Sequence, residues 1–485
     1  TYRRVDRKLF KCNPDAFERK NIRNLLSVPS IEVNPRETKY CDWIDHDDLL
    51  KIRTFDVDIF IRMGFRILKG GILKAAKYGV WSYHHGDNKI NRGGPAGFWE
   101  VMKNQKETGV VLQILNENLD NGTILYKSYS LTDKISVNRN VNRCYWKGLS
   151  FLPAKIKELY ILGGKAFFNK VALSNHNLEF YDKPLYKDPS NLEMLKLLIE
   201  KFIQISKQRL SDLFYFDQWI LMYKYNKLPE ISTSFFQFKK IISPKDRIWA
   251  DPFLVCKNGK YYIFIEEMLF QTNKGVISVI EIDEKGNYSK PLPVLEADCH
   301  LSYPYIFEEK GSLYMIPETK GNRSIELYKC EKFPSKWKFE KALMKNLTAV
   351  DSSVLFYDSK YWLFTNIVRN KGASSHDELF IFYSNDLLEG SWEAHPENPV
   401  VSDVKKARMA GKPFMQNNLL YRPSQNCSHH YGYGLKINKI EVLTTEKYKE
   451  ITVDSIQPDW DSTIIGTHTF NNCNNMTIID ALQRR

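Results

Sequence analysis

Apolar runs in the second half of the chain come in pairs joined by turn residues, and the pairs repeat. Asp251-Pro252-Phe253-Leu254-Val255 leads over Asn258-Gly259 to Tyr261-Tyr262-Ile263-Phe264-Ile265-Glu266-Glu267. Residues 302–318 follow the same plan over Lys310-Gly311, residues 351–364 over Asp358-Ser359, and residues 411–423 over Asn417-Asn418. A further strand-like run follows each pair, at residues 277–282, 325–328, 379–383 and 433–437. Aromatic and β-branched runs around such turns are hairpins. Four copies at a spacing of about 50 residues predict the blades of a β-propeller. Thr467-His468-Thr469-Phe470 predicts the start of a fifth blade, and residues 236–242 a strand that closes it.

Upstream, strand and helix patterns alternate. Residues 56–61 read as a buried strand, residues 72–79 as a short helix closed by Gly79, residues 80–84 as a strand ending at His84, and residues 110–115 as another strand. Strands separated by helices predict a parallel α/β sheet with its site in the loops at the strand C-termini. Beyond Tyr145 the pattern turns helical. Asn191 is predicted to cap a helix reaching Leu210, with Leu195, Leu198, Ile199, Phe202 and Ile205 on one face. The basic, aromatic-rich stretch at residues 145–159 reads either as helices packed between domains or as a peripheral contact with a membrane surface. The fold expected is multidomain, α/β followed by all-β: an α/β domain over residues 1–150, a helical connector over 151–235, and a five-bladed propeller over 236–485.

Charge and cysteine usage narrow the partners. The 70 basic residues outnumber the 57 acidic ones and give a net charge of +13, spread along the chain. This favours an anionic partner such as a sugar nucleotide or acidic glycan over a nucleic acid. The eight cysteines include no Cys-x-x-Cys pair, so no zinc ribbon or other metal site is expected. Scattered thiols without a signal peptide imply a cytoplasmic protein.

The chemistry of the first domain centres on Ser82, His84 and Asp120. Taken singly, His84 reads as a core histidine and Asp120 as a turn aspartate in Asp120-Asn121-Gly122. Their order and spacing say more: Ser82-Tyr83-His84, a loop closing on Arg92-Gly93, Thr108-Gly109, and Asp120 before Gly122-Thr123-Ile124. This arrangement resembles the catalytic domain of the folate-dependent formyltransferases that act on methionyl-tRNA, glycinamide ribonucleotide or amino sugars. The resemblance implies His84 and Asp120 as catalytic residues, Arg92 near the substrate, and N10-formyltetrahydrofolate as cofactor. The family's asparagine falls on Ser82, whose hydroxyl is a shorter donor to an oxyanion; losing one such donor costs about 100- to 1,000-fold in rate. The polar run Gly86-Asp87-Asn88-Lys89 replaces an apolar stretch of the family and either alters the acceptor pocket or is solvated. The strand–helix–strand portion that opens the family's fold is not found, so the domain is expected to be N-terminally incomplete.

The propeller runs Trp249-Ala250-Asp251-Pro252-Phe253, His300-Leu301-Ser302-Tyr303-Pro304, Ile316-Pro317-Glu318, Val350-Asp351-Ser352-Ser353 and Arg422-Pro423-Ser424-Gln425 resemble the N-terminal domain of plant glucosamine inositolphosphorylceramide transferases. That domain is similar in turn to the family-43 glycosidases. The resemblance implies that Asp251, Glu318 and Asp351 face a central cavity as base, acid and helper, joined there by Arg422, Gln425 and His468. The alternative for these carboxylates is architectural, an aspartate at a hairpin start holding neighbouring backbone. The function expected is formyl or related acyl transfer to an amino sugar or sugar nucleotide in surface polysaccharide biosynthesis, with the propeller binding the glycan. The alternatives are a glycosidase or glycosyl-transferring propeller with a vestigial first domain, and a non-catalytic glycan-binding protein.

Overall fold

The computed structural model describes residues 2–21, 28–175, 181–226 and 233–485. The chain gathers into two units, residues 1–203 with 370–374 and residues 204–369 with 375–485. The first is built on a four-stranded sheet in the order β1 (Phe60–Ile61), β2 (Val80–His84), β3 (Glu107–Ile114) and β4 (Thr123–Leu131). β1 and β2 run parallel, but β2–β3 and β3–β4 are antiparallel. The expected parallel sheet is therefore mixed. For β3 and β4 the physical reason lies in the connection: residues 115–122 allow a reversal but are too few for a parallel crossover. The helix expected over residues 72–79 is a 3-10 turn at Gly70–Lys74, and the strand expected over 56–61 shrinks to two residues.

Alternation along β2 gives the sheet two faces. Trp81 joins Val110, Leu112 and Leu125 in a core that includes Phe151 and Phe167 of helix Phe151–Ser174. Val80 packs on the opposite side with Ile44, Leu68 and Ile72. Ser82 and His84, two and four residues on from Val80, share its face.

Residues 151–235 are not helical throughout, which corrects the expected connector. Helix Asn191–Phe214 is capped by Ser190 rather than Asn191. The Ser190 N–H donates to Glu193 Oε2 at 2.8 Å and the Glu193 N–H to Ser190 Oγ at 3.3 Å, a reciprocal box. The expected apolar face is not buried, since Leu195, Ile199 and Phe202 are exposed. Asp217–Tyr225 is a strand.

That strand belongs to the second unit. Four sheets of four antiparallel strands follow one another in chain order over residues 247–295, 302–345, 349–394 and 414–456. A further sheet is closed from both ends of the region: Met476–Arg484 pairs with Ile464–Gly466 and Phe470–Cys473, and also with Asp217–Tyr225. Lys239–Ile241, from the segment expected to close the ring, pairs only with the outer side of Asp217–Tyr225. Successive antiparallel sheets with this closure make the region propeller-like.

In three sheets the first strand carries the same irregularity. Register shifts between Ala250 and Phe253, Ser302 and Tyr305, and Val350 and Ser353 leave Asp251, Tyr303 and Asp351 at φ 49°, 47° and 51°. An inserted residue bends its strand and re-aims its side chain, and a left-handed φ is uncommon without glycine.

Candidate functional site

β2 delivers His84, buried, to the end of the sheet. Its Nε2 lies 2.8 Å from the Asn91 carbonyl oxygen and its Nδ1 3.3 Å from Asp120 Oδ1. A carbonyl only accepts, so Nε2 carries a proton and Nδ1 is the atom that exchanges one with Asp120. The other Asp120 oxygen accepts the Gly93 N–H at 2.9 Å. Gly93 has φ 96°, and a Cβ there would sit 2.3 Å from the Tyr186 carbonyl oxygen, so the position requires glycine. Burial opposes charging of His84, but the hydrogen bond and charge of Asp120 outweigh it, and the ring titrates above its ordinary value. Burial likewise works against the Asp120 carboxylate. The bond to His84 and its charge, the Gly93 N–H and the charge of Arg62 hold it below the usual range.

The neighbours divide differently from expectation. Ser82 Oγ accepts from Arg62 Nη1 at 3.0 Å and donates to the Tyr83 carbonyl at 3.3 Å, so its proton is already engaged. Arg62, which no motif marks, is held by the carbonyls of Arg66 (2.9 Å) and Phe65 (2.7 Å) and forms no ion pair with the described residues. Arg92 stacks on Tyr181 at 4.4 Å and donates to the Asn88 carbonyl and to Asn121 Oδ1, both at 2.8 Å. It thereby clamps the loop to the residue after Asp120. The polar loop is built in rather than solvated: Asp87 and Asn88 are buried and both accept from Lys127. His85 stacks on Tyr145 at 4.0 Å, and burial lowers its pKa to about 3, leaving it neutral.

A second cluster lies among the inner strands of the propeller-like unit. Asp251 accepts from the Thr469 hydroxyl at 2.6 Å and the Tyr303 N–H at 3.1 Å, the architectural role of an aspartate that holds neighbouring backbone. Asp351 accepts from Arg408 Nε at 2.5 Å and Gln425 Nε2 at 3.0 Å. Arg408 also donates to His376 Nδ1 at 2.8 Å and stacks on Tyr431 at 4.7 Å. Glu318 faces this group, with Oε2 3.9 Å from Arg408 and no hydrogen-bond partner. Burial and the adjacent Asp351 carboxylate raise the Glu318 pKa well above its ordinary value, against the opposing charge of Arg408. Asp251 and Asp351 share the bulge position, whereas Glu318 pairs with Ser302 as Glu266 pairs with Ala250. Glu266 in turn binds His300 Nε2 at 2.9 Å.

Arg422 does not join the cluster. It makes a two-pronged pair with Glu450 at 2.8 and 2.9 Å, both side chains buried, because its strand turns it toward its own sheet. His468 stacks on Trp219 at 4.1 Å and meets Asp480 at 2.5 Å through Nδ1. Asp251, His468 and Asp480 bring ligand atoms within 4.8 Å of one another, a spacing open to a metal ion. Asp480, however, already accepts the backbone N–H groups of Asp251, His468 and Thr469, so protein donors fill the set. Arg408, His376, Tyr431, Glu266 and Asp480 were not marked in the sequence, since none belongs to the repeated hairpin starts.

Residues 239–474 match the family model described as glucosamine inositolphosphorylceramide transferase 1, N-terminal. The rice protein of that name (Oryza sativa subsp. japonica) is 38% identical over 208 residues, 42% of this chain and 28% of the relative. Methionyl-tRNA formyltransferase of Prochlorococcus marinus (strain MIT 9312) is 31% identical over 157 residues, 32% of this chain and 43% of that protein. Among solved structures, Zg3597, a family 117 glycoside hydrolase from Zobellia galactanivorans, aligns with a TM-score of 0.36 at 12% identity over 55% of this chain and 90% of its own. The chain thus spans less than half the length of these curated relatives. They also overturn the expected cytoplasmic location, because the plant proteins are named for transfer involving inositolphosphorylceramide, a membrane lipid; unpaired cysteines do not fix the compartment. The chain is a composite, one part similar to methionyl-tRNA formyltransferases and residues 239–474 similar to the N-terminal domain of glucosamine inositolphosphorylceramide transferases.

Proposed function

We propose that the protein transfers an acyl group, formyl or larger, to the amine of an amino sugar, sugar nucleotide or glycolipid headgroup in surface polysaccharide biosynthesis. On this reading the first unit is a formyltransferase-like α/β domain. The five sheets of the second unit are then blades of a propeller that holds the glycan. The observation that carries the proposal is the buried His84–Asp120 pair, closed by the Gly93 N–H. Asp120 is the more exposed member, at 17% against 8% for the His84 side chain. It takes the proton as the amine attacks the acyl carbon and passes it to His84 Nδ1, the more basic atom. Collapse of the tetrahedral intermediate returns that proton to the leaving group. Arg62 retains N–H groups beyond those bonded to Ser82, Phe65 and Arg66, and these stabilise the oxyanion in place of the family's asparagine.

The full chain, incubated with glucosamine or amino-sugar nucleotides and either N10-formyltetrahydrofolate or acyl thioesters, should yield an N-acylated product by mass spectrometry. His84→Ala should abolish it with the fold intact. Absence of product with every donor, from folded wild-type protein, overturns the reading. Hydrolysis at the propeller is the second reading, favoured by Glu318, whose pKa burial and the Asp351 carboxylate raise well above its ordinary value. Sugar release from a glycan panel that disappears in Glu318→Gln would install it; binding without release, weakened by Arg408→Met, supports the glycan-holding role.

A further inference from the structure

The first unit contains an apolar slot of about 310 Å³, lined by residues that include Val80 at the start of β2 and Arg62. Val33, Ile44, Phe60, Leu68, Ile72 and Val80 are among its walls, and Arg62 is the one polar side chain among the described residues that line it. β2 relates the slot to the site, since Val80 at its start lines the slot and His84 ends it. Val80 lies on the face that also carries Ser82 and His84, about 13 Å away at the far end of the strand. Arg62 stands between, touching Ser82 at 3.0 Å. Its half-buried guanidinium donates to three neutral oxygens, and its remaining N–H groups can take an oxygen-bearing ligand. The volume falls at the lower end of small-molecule sites.

We propose that this slot binds an aliphatic acyl chain, with its carbonyl or carboxylate oxygen on Arg62 and its methylenes running past Val80 toward Ile72 and Leu68. The inference rests on the acyl-transfer reading and specifies the donor: an acyl thioester of medium chain length in place of a one-carbon folate. A pterin needs partners for its amino and oxo groups, and among the described residues the slot walls supply no side-chain amide or carboxylate. An alkyl chain needs none. In the transfer, the sugar amine forms a bond to the acyl carbon, the carbon–sulfur bond breaks, and the thiolate receives the proton lifted from the amine through Asp120 and His84.

Calorimetric titration of the full chain with sodium hexanoate, octanoate and decanoate tests the slot. Affinity should rise about fourfold per added methylene until the slot is full. Val33→Trp, at a half-buried wall, should remove decanoate binding without changing the circular dichroism spectrum. Arg62→Met should weaken it about 10- to 100-fold, as expected for a lost charge-assisted hydrogen bond. Lack of decanoate binding, affinity independent of chain length, or indifference to both substitutions overturns the slot assignment. Transfer assays with decanoyl-coenzyme A and N10-formyltetrahydrofolate separate the two levels of the argument. Formyl transfer alone removes the aliphatic donor and leaves amino-sugar acylation standing, whereas no transfer from either removes the acyl-transfer reading as well.

Discussion

Replacing Asp120 with asparagine removes the charge beside His84 while keeping an oxygen for the Gly93 N–H. The present contact is 3.3 Å from Nδ1 to Oδ1, with both side chains largely buried. A hydrogen bond between charged partners contributes about 1.5–3 kcal/mol, so the pair stands to lose about that much. The signs follow from the two directions. His84 is raised, so its contribution is full below about pH 6.5 and disappears as pH rises through its folded pKa. Asp120 is lowered, so the same interaction, counted once, is present above about pH 3.9 and disappears as pH falls. The stabilisation therefore occupies the window between the two folded values. Nuclear magnetic resonance of ring-labelled histidine, with His84 assigned among the ten by His84→Gln, reads the shift directly. Asp120→Asn should lower the His84 pKa, because burial then acts without the opposing carboxylate. The base is neutral His84, so acyl transfer should rise with pH through that pKa, and the variant's residual activity should rise at lower pH. An unchanged His84 titration in Asp120→Asn would refute the coupling on which the mechanism depends.

Glu450→Ala leaves the buried Arg422 guanidinium without its partner and should cost about 3–5 kcal/mol in urea unfolding followed by circular dichroism. Arg422→Met with Glu450→Leu should recover most of that loss. Burial works against charging of His468, but Asp480 and Asp251 outweigh it and raise its pKa to about 9. Its share of stability should hold below about pH 6.5 and fall as pH rises through 9, a slope that Asp480→Asn removes in unfolding measured across that range. Gly93→Ala should destabilise the first unit by about 1–3 kcal/mol and depress acyl transfer, because the added Cβ meets the Tyr186 carbonyl and pulls the N–H from Asp120. Thermal melts together with the transfer assay check this.

Period and turn chemistry are local properties, and they carried the repeated hairpins of residues 251–423 and the strand ending at His84, where alternation and turn preference act between side chains a few residues apart. The His84, Arg92-Gly93, Asp120 order extends over a longer stretch and was legible only through the family resemblance. The direction of β3 was not legible, since the pattern does not say whether an intervening segment crosses over or turns back. The closing strand Asp217–Tyr225 was hidden for a related reason. Its partner Met476–Arg484 lies more than 250 residues away, and no local signal encodes so distant a pairing.

The candidate sites divide in the same manner. Sequence alone supplied His84 and Asp120 because a recurring motif holds them. It could not distinguish Asp251, whose oxygens are taken by Thr469 and Tyr303, from Glu318, whose Oε2 stands unpartnered. Nor could it move Arg422 out of the propeller cluster, bring Arg408 into it, or set Arg62 on Ser82, because a side chain's partners are set by which strands meet. The sequence determined the period on which the hairpins recur and which residue types are candidates for chemistry. The tertiary structure decided which of them are already satisfied and which remain able to react, since burial and hydrogen bonding exist only once distant segments have packed.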